Sequence, residues 1–262
     1  MESRFKLGAD PEFFVFKDGK PFPAIGLVSG TKEEPQSISD KGHSVQVDNV
    51  LLEFNIPPSI TGEDMFNNIN FVLDWFKENL KGYSFNFEAS QYFDEEHLTT
   101  EKAKEFGCDP DWDVWRQAEN HGPEDGETNL RVAGGHIHVS YPNHNIGKSV
   151  EYVKAFDLFL GVPSILFDNN TIRRSMYGKA GSFRFKKYGK KEGGFEYRVL
   201  SNFWIVSQEY VNWIFKQVNK AFDFIEQGNS IDTKSETAER IIKAINSSDT
   251  EMAKELIKEF NI

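Results

Sequence analysis

Gly134-Gly135-His136-Ile137-His138-Val139 is the stretch around which the chain is read. In an extended strand, residues two apart project to one face, so His136 and His138 point together. Two imidazoles side by side invite a metal or a phosphate. The glycines before them let another backbone or a ligand come close to the start of the strand. A His-x-His pair also occurs in zinc hydrolases and in ordinary half-buried strands, so the neighbouring segments have to decide.

Upstream, Phe13-Phe14-Val15-Phe16 before Asp18-Gly19 reads as a strand entering a tight turn, with Glu12 at its beginning. From Val45 to Ile56 apolar and polar residues alternate, and the phase flips near Asn49. A bulge there would keep Gln46, Asp48, Glu53 and Asn55 on one polar face. Thr61 and Asp64 predict the cap of a helix carrying Met65, Ile69, Val72, Leu73, Phe76 and Leu80. Tyr83 to Phe87 alternates as a third strand, and Asp94 to Gly126 is acidic and irregular, as expected of surface excursions. Downstream, Asn129 to Tyr141 forms the strand with the histidines, and Ser149 caps a helix running toward Pro163. Ser182 to Lys186 and Phe195 to Leu200 pair as a hairpin around Tyr188 to Gly194, a helix follows through Phe222, and Ile231 to Ile262 adds two charged helices.

The chain has 262 residues, enough for one large or two small domains, and its 39% hydrophobic content with 24 Phe fits a folded core. A net charge of −11 argues against general nucleic-acid or anionic-membrane binding. The single Cys108 excludes an internal disulfide framework and a cysteine zinc site. With no apolar run of spanning length and no apolar signal segment at the amino terminus, a soluble cytoplasmic protein is expected.

Four clusters on separate predicted strands carry chemistry: Asp10-Pro11-Glu12, Asp48 with Glu53, His136 with His138, and Glu196-Tyr197-Arg198. Carboxylates suit Mg2+, and one imidazole among them suits Mn2+ as well. Taken singly, each acid reads more readily as a solvated strand residue than as a ligand. From Arg173 to Lys191 there are eight Lys or Arg and no Asp or Glu. Gly178 and Gly181 let that loop fold around a phosphate, which guanidinium groups grip bidentately. The bland reading, a solvated basic hairpin, suits Lys186, Lys187, Lys190 and Lys191. Arg173, Arg174 and Arg184 are favoured for function because the glycine-bearing loop joins them. Acids that hold divalent ions beside arginines that neutralise transferred charge are what phosphoryl transfer from a nucleotide needs. No Walker loop and no Gly-x-Ser-x-Gly elbow is present.

Together these segments resemble the glutamine synthetase and glutamate-cysteine ligase superfamily, and most closely its phage-associated carboxylate-amine ligases (COOH-NH2 ligase type 2, amidoligases). The matching motifs are Gly8-Ala9-Asp10-Pro11-Glu12-Phe13-Phe14, Gln46-Val47-Asp48 with Leu52-Glu53-Phe54-Asn55, Gly134-Gly135-His136-Ile137-His138, the loop from Arg173 through Lys179 to Arg184, and Glu196-Tyr197-Arg198. They run in the family's order, with Asp10 where glutamine synthetase has Glu. The resemblance implies an α+β fold, a curved antiparallel sheet flanked by helices like the glutamine synthetase catalytic domain. A catalytic domain over residues 1–228 and a small helical appendage over 229–262 are expected. It implies ATP with Mg2+ or Mn2+ on the concave face, and an amide formed through an acyl phosphate from small-molecule or peptide carboxylate and amine substrates. Asp10, Glu12, Asp48, Glu53, His136 and Glu196 are the implied metal ligands. Arg174, Arg184 and Arg198 are assigned with Glu196 to catalysis, and His138, Arg173, Lys179 and Arg184 to the nucleotide. A phage-encoded member would act in the cytoplasm of a bacterial host. Oligomeric state stays open.

Two rivals compete with this reading. A metal-dependent hydrolase using His136 and His138 leaves the arginine loop unexplained, and a non-catalytic binding module would keep the fold without turnover. The acidic, tryptophan-bearing stretch Cys108 to Trp115 suits either an amine pocket or a loop packed on its own tryptophans.

Overall fold

A computed structural model describes residues 3–104, 111–120, 129–168, 170–188 and 192–262. Cys108, Asp109, Pro110, Lys190 and Lys191 lie outside the described residues.

The strand bearing Glu12 is longer than its aromatic run suggests. β1 spans Lys6–Lys17, so Glu12 sits in its middle rather than at its beginning. Pro11, which removes one ladder donor, stands where β1 changes partners: residues 6–11 pair with residues 135–140 of the histidine segment, and residues from Glu12 onward pair elsewhere. β2 (Lys20–Phe22) folds back through Asp18-Gly19, both at positive φ. β3 (Gln36–Ser37) pairs with β4 (Ser44–Asp48), which joins β5 (Leu51–Asn55) in a tight hairpin.

That hairpin replaces the bulged single strand expected over Val45 to Ile56. Asn49 takes a φ of 53°, a left-handed conformation that Asn tolerates, and the chain reverses there. The hydrophobic phase flips because the chain changes direction. Gln46 pairs with Glu53 and Ser44 with Asn55, so the polar face survives the correction.

α1 (Gly62–Asn79) starts where Thr61 accepts a hydrogen bond from the Asp64 amide, a cap that contributes about 1 kcal/mol. Its buried stripe of Met65, Ile69, Val72, Leu73 and Phe76 recurs at helical spacing. After it come β6 (Ser84–Asn86), β7 (Ser90–Tyr92) and the short α2 (Glu101–Lys104). β8 (Asp111–Asp113) and β9 (Ala118–Asn120) then extend the main sheet. This part of the acidic segment is therefore not a surface excursion. Trp115 is buried in the core, and that apolar burial draws the hairpin onto the sheet.

The histidine segment is two strands, not one. β10 (Leu130–Val132) pairs with β7 in a separate two-stranded sheet, and β11 (Gly135–Ser140) enters the main sheet. The break at Ala133-Gly134 lets the chain change layers. Asn145, rather than Ser149, caps α3 (Ile146–Phe156); Ser149 is buried and hydrogen-bonds Tyr141. The helix does not stop before Pro163. It widens into one π-helical stretch at Asp157–Gly161 and continues through α4 (Val162–Ser164). α5 (Arg173–Met176) begins the arginine loop, and β12 (Ser182–Tyr188) and β13 (Glu192–Tyr197) form the expected antiparallel hairpin. α6 (Gln208–Glu226), α7 (Glu236–Asn246) and α8 (Thr250–Phe260) complete the chain.

The fold is α+β: a large sheet in the order β3-β4-β5-β1-β11-β13-β12-β8-β9, antiparallel in the pairings below, with helices packed on one face. β2 and β6 pair with the outer half of β1. Side chains directly across an antiparallel ladder share a face. Leu7, Ala9, Phe13, Ile137, Val139, Phe195 and Tyr197 therefore meet the buried stripes of the helices, and Asp10, Glu12, His136, His138, Glu196 and Glu53 face the other way. A smaller apolar cluster of Phe14, Leu51, Phe93, Leu98 and Ala103 covers one end of that polar face. Ile241, Ile245 and Leu256 of α7 and α8 belong to the same apolar core as the sheet.

Candidate active site

Register brings the acidic and imidazole residues together. Asp10 lies across from His136 on β1 and β11, His138 across from Glu196, Arg184 across from Glu196, and Glu12 across from Glu53. Gly134 and Gly135 leave the room this requires. A Cβ on Gly134 would press on the His136 ring, and one on Gly135 would strike the Ser201 carbonyl and lie 2.7 Å from the Trp204 indole nitrogen.

At the centre, His136 Nδ1 stands 3.3 Å from Asp10 Oδ1 and 3.5 Å from Glu196 Oε1, and His138 Nε2 is 3.0 Å from Asp10 Oδ2. Glu196, fully buried, is gripped by Arg198, by Lys186 at 2.7 Å and by Arg184 at 3.9 Å. Arg198 also pairs with Asp111 of β8 at 3.1 Å. Burial would raise both acids, but neighbouring cations outweigh it. His138 and His136 hold the Asp10 carboxyl well below the usual range, and Arg198 foremost brings Glu196 down to about 2. Burial would lower His138, yet the adjoining Asp10 carboxylate raises it.

Alongside lies a second acidic group with the opposite balance. Glu12 accepts a 2.7 Å hydrogen bond from the Gly134 amide, and Glu53 accepts one of 2.6 Å from Gln46. Burial, opposed by His136 and reinforced by Asp48, pushes Glu12 up; burial together with Asp10, Asp48 and Glu12 pushes Glu53 well above its ordinary value. Asp48 pairs with Lys32 at 3.8 Å.

Among the described residues, Asp10, His136 and Glu196 offer donor atoms that all lie within 4.8 Å of one another. Asp10 Oδ1 is buried and accepts no hydrogen bond. Two carboxylates and one imidazole converging around an unsatisfied oxygen could hold a metal ion.

A cleft of about 240 Å3 opens beside this group, lined by Glu12, Asp48, His136, Arg173 and Arg198. Lys32, Lys102, Asp111, Arg131 and Tyr177 line it too. Arg173 is buried behind it, with hydrogen bonds to the carbonyls of Val199 at 2.8 Å and Arg198 at 3.3 Å. Burial, with Arg174 adjacent, lowers it to about 10, still charged at neutral pH. Gly178, at a φ of 73°, passes so close that a Cβ would collide with the Arg173 guanidinium.

Arg174 turns away from the cleft toward Asp168 at 3.6 Å and Ser248 at 3.4 Å. Lys179 is exposed on the loop and does not line the cleft. Lys186, read from sequence as a solvated cation, instead reaches Glu196; its spacing of two from Arg184 on a strand was the available signal. Arg131 carried no such signal. Its guanidinium donates to Asn49 at 3.0 Å and to the Ala103 carbonyl at 2.7 Å, bridging segments far apart in sequence.

Among the described residues, no helix is long and apolar enough to cross a membrane. Among curated proteins, none matches the chain. Among solved structures, a bifunctional glutathione synthetase from Pasteurella multocida is similar at 12% identity and a TM-score of 0.46, over 98% of this chain. The chain spans 47% of that protein's length. The family model of phage phiEco32-like COOH.NH2 ligases, type 2, matches residues 129–261, from β10 and the histidine strand through the arginine loop to α8. With half of its length matched there, the chain belongs to the phage phiEco32-like COOH.NH2 ligase type 2 family.

Proposed function

We propose that the chain is an ATP-dependent carboxylate-amine ligase with its site on the polar face of the sheet, in a glutamine synthetase-like catalytic fold. The observation that carries this reading is one continuous face on which an acid-imidazole group, Asp10, His136 and Glu196, adjoins a cleft bearing Arg173 and Arg198. Acids that hold divalent cations and guanidiniums that hold phosphate oxygens are the two halves of a phosphoryl-transfer site.

In the proposed reaction a substrate carboxylate oxygen attacks the γ-phosphorus of ATP and ADP leaves. The amine nitrogen then attacks the carbonyl carbon of the acyl phosphate, the C–O bond to phosphate breaks, and the nitrogen gives up a proton. Asp10, His136 and Glu196 would hold a first divalent cation, with Glu12, Glu53 and Asp48 available for a second. Bound there, such cations would neutralise phosphate charge. Arg198 and Arg173 present donors to the transferred phosphoryl oxygens, and Arg198 keeps its orientation through Asp111 and Glu196. Arg184 and Lys186 neutralise Glu196 from the neighbouring strand. His138, paired with Asp10, fixes the carboxylate that lies opposite His136.

Purified protein incubated with ATP, Mg2+ or Mn2+ and amino-acid pools is expected to release ADP and phosphate only when a carboxylate and an amine are both present. Metal-dependent cleavage without ATP would favour a hydrolase instead.

A further inference from the structure

The loop from Arg173 to Gly181 has little backbone bonding of its own. Tyr177 donates to the Arg173 carbonyl and Ser182 to that of Lys179. At its end, the Ala180 amide and the Gly181 carbonyl are both taken by groups from elsewhere in the fold. The Ala180 N–H donates to Asn246 Oδ1 at 2.8 Å, from the last residue of α7. The Gly181 carbonyl accepts from the Val114 N–H at 3.1 Å, next to Trp115, which Asp157 holds from the start of the π-helical stretch.

Asp157 is fully buried and accepts from Tyr197 Oη at 2.7 Å and from Trp115 Nε1 at 2.6 Å. Tyr197 lies between Glu196 and Arg198, whose side chains reach the polar face, while its own points back to the helices. Trp115 follows β8, whose Asp111 pairs with Arg198 on the front. One carboxylate behind the sheet therefore ties the β13 end to the β8 turn, whose Val114 in turn holds the end of the arginine loop. π-Helical widenings commonly serve such placements. From the other side, the turn between α7 and α8 adds Ser248, which accepts from Arg174 at 3.4 Å.

We propose that Asn246 and Asp157 are positioning residues that fix the end of the arginine loop, and through it Arg173, relative to Arg198 and the cleft. The mechanical link is Gly178: with the Arg173 guanidinium packed against it, displacement of the loop displaces the arginine. This gives α7 and α8 a part in the site although neither lines the cleft. The effect on nucleotide rests on the reading of the cleft as a phosphate site.

Asn246 is exposed, so Asn246→Ala removes the acceptor without opening the core. Asn246→Asp retains an oxygen acceptor. Hydrogen-deuterium exchange is expected to speed up over residues 177–182 in Asn246→Ala and to return toward the wild-type rate in Asn246→Asp. Titration with ATP and Mg2+ is expected to show roughly fivefold weaker binding in Asn246→Ala, as one lost hydrogen bond implies, with recovery in Asn246→Asp. Asp157→Asn should speed exchange in the same segment; if it does not fold, the Asn246 pair still decides. Unchanged exchange in Asn246→Ala, or faster exchange with unchanged ATP affinity, overturns the proposal. A wild-type protein that binds no ATP contradicts the phosphate-site reading, and the exchange rates then judge the loop clamp alone.

Discussion

Two acidic groups sit side by side on one sheet face and are held in opposite ways. Asp10 and Glu196 are buried among His136, His138, Lys186 and Arg198; against burial, the histidines hold Asp10 low and Arg198 foremost holds Glu196 low. Glu12, half-buried, and Glu53, buried, stand against further carboxylates, and desolvation together with these pushes both up. The first group carries its own counter-charge, and the second lacks enough. An added divalent cation therefore changes the second group most, and the removal of a carboxylate damages the first most.

Substitution in the first group should have the largest effect. Glu196→Gln leaves Arg184, Lys186 and Arg198 without their shared acid, and ligase turnover is expected to fall by about 10^3-fold, as for removal of a principal electrostatic contact. A variant retaining near wild-type turnover would erase the distinction between the groups. On the cationic side, Gly178→Ala forces a left-handed Cβ against Arg173. We expect the KM for ATP to rise about tenfold with the kcat less affected, measured by steady-state kinetics.

The second group is probed through metal. In Glu53→Gln, the thermal stabilisation by Mn2+ is expected to shrink by several degrees, while the metal-free protein melts no lower than wild type because a crowded buried carboxylate has gone. An unchanged metal-induced shift would show that Glu53 takes no part in binding.

A third carboxylate, Asp157 behind the sheet, gives the smallest and cleanest effect. Burial raises it to about 7, above the ordinary aspartate value of 3.8. Its neutral form is thus favoured in the folded chain. The stability it contributes is fully present below pH 3.8 and is lost as the pH rises through about 7. Asp157→Asn, which cannot ionise, should flatten the decline in stability between about pH 4 and about pH 7 in denaturant unfolding of the metal-free protein. An unaltered pH profile would contradict this.

Periodicity made much of this face legible. Alternation placed Glu12, Glu53, His136 and Glu196 on strands, and the apolar stripe of α1 was readable with its cap. What escaped were features set by contacts distant in sequence. The Asn49 turn looked like a bulge because a reversal and a bulge flip the hydrophobic phase alike. β8 and β9 were hidden in an acidic segment whose place is decided by one buried tryptophan. Arg131 and Lys102 reach the cleft from segments that the small apolar cluster around Phe93 and Leu98 folds over the sheet. Consecutive arginines looked equivalent in sequence, yet Arg173 lines the cleft while Arg174 faces Asp168.

The central claim, that this face activates a carboxylate with ATP, is tested most directly by isotope transfer. With ATP, Mg2+ and amino-acid pools labelled with 18O in their carboxyl groups, one 18O is expected in each phosphate released during amide formation. Turnover that releases only unlabelled phosphate would contradict the acyl-phosphate route.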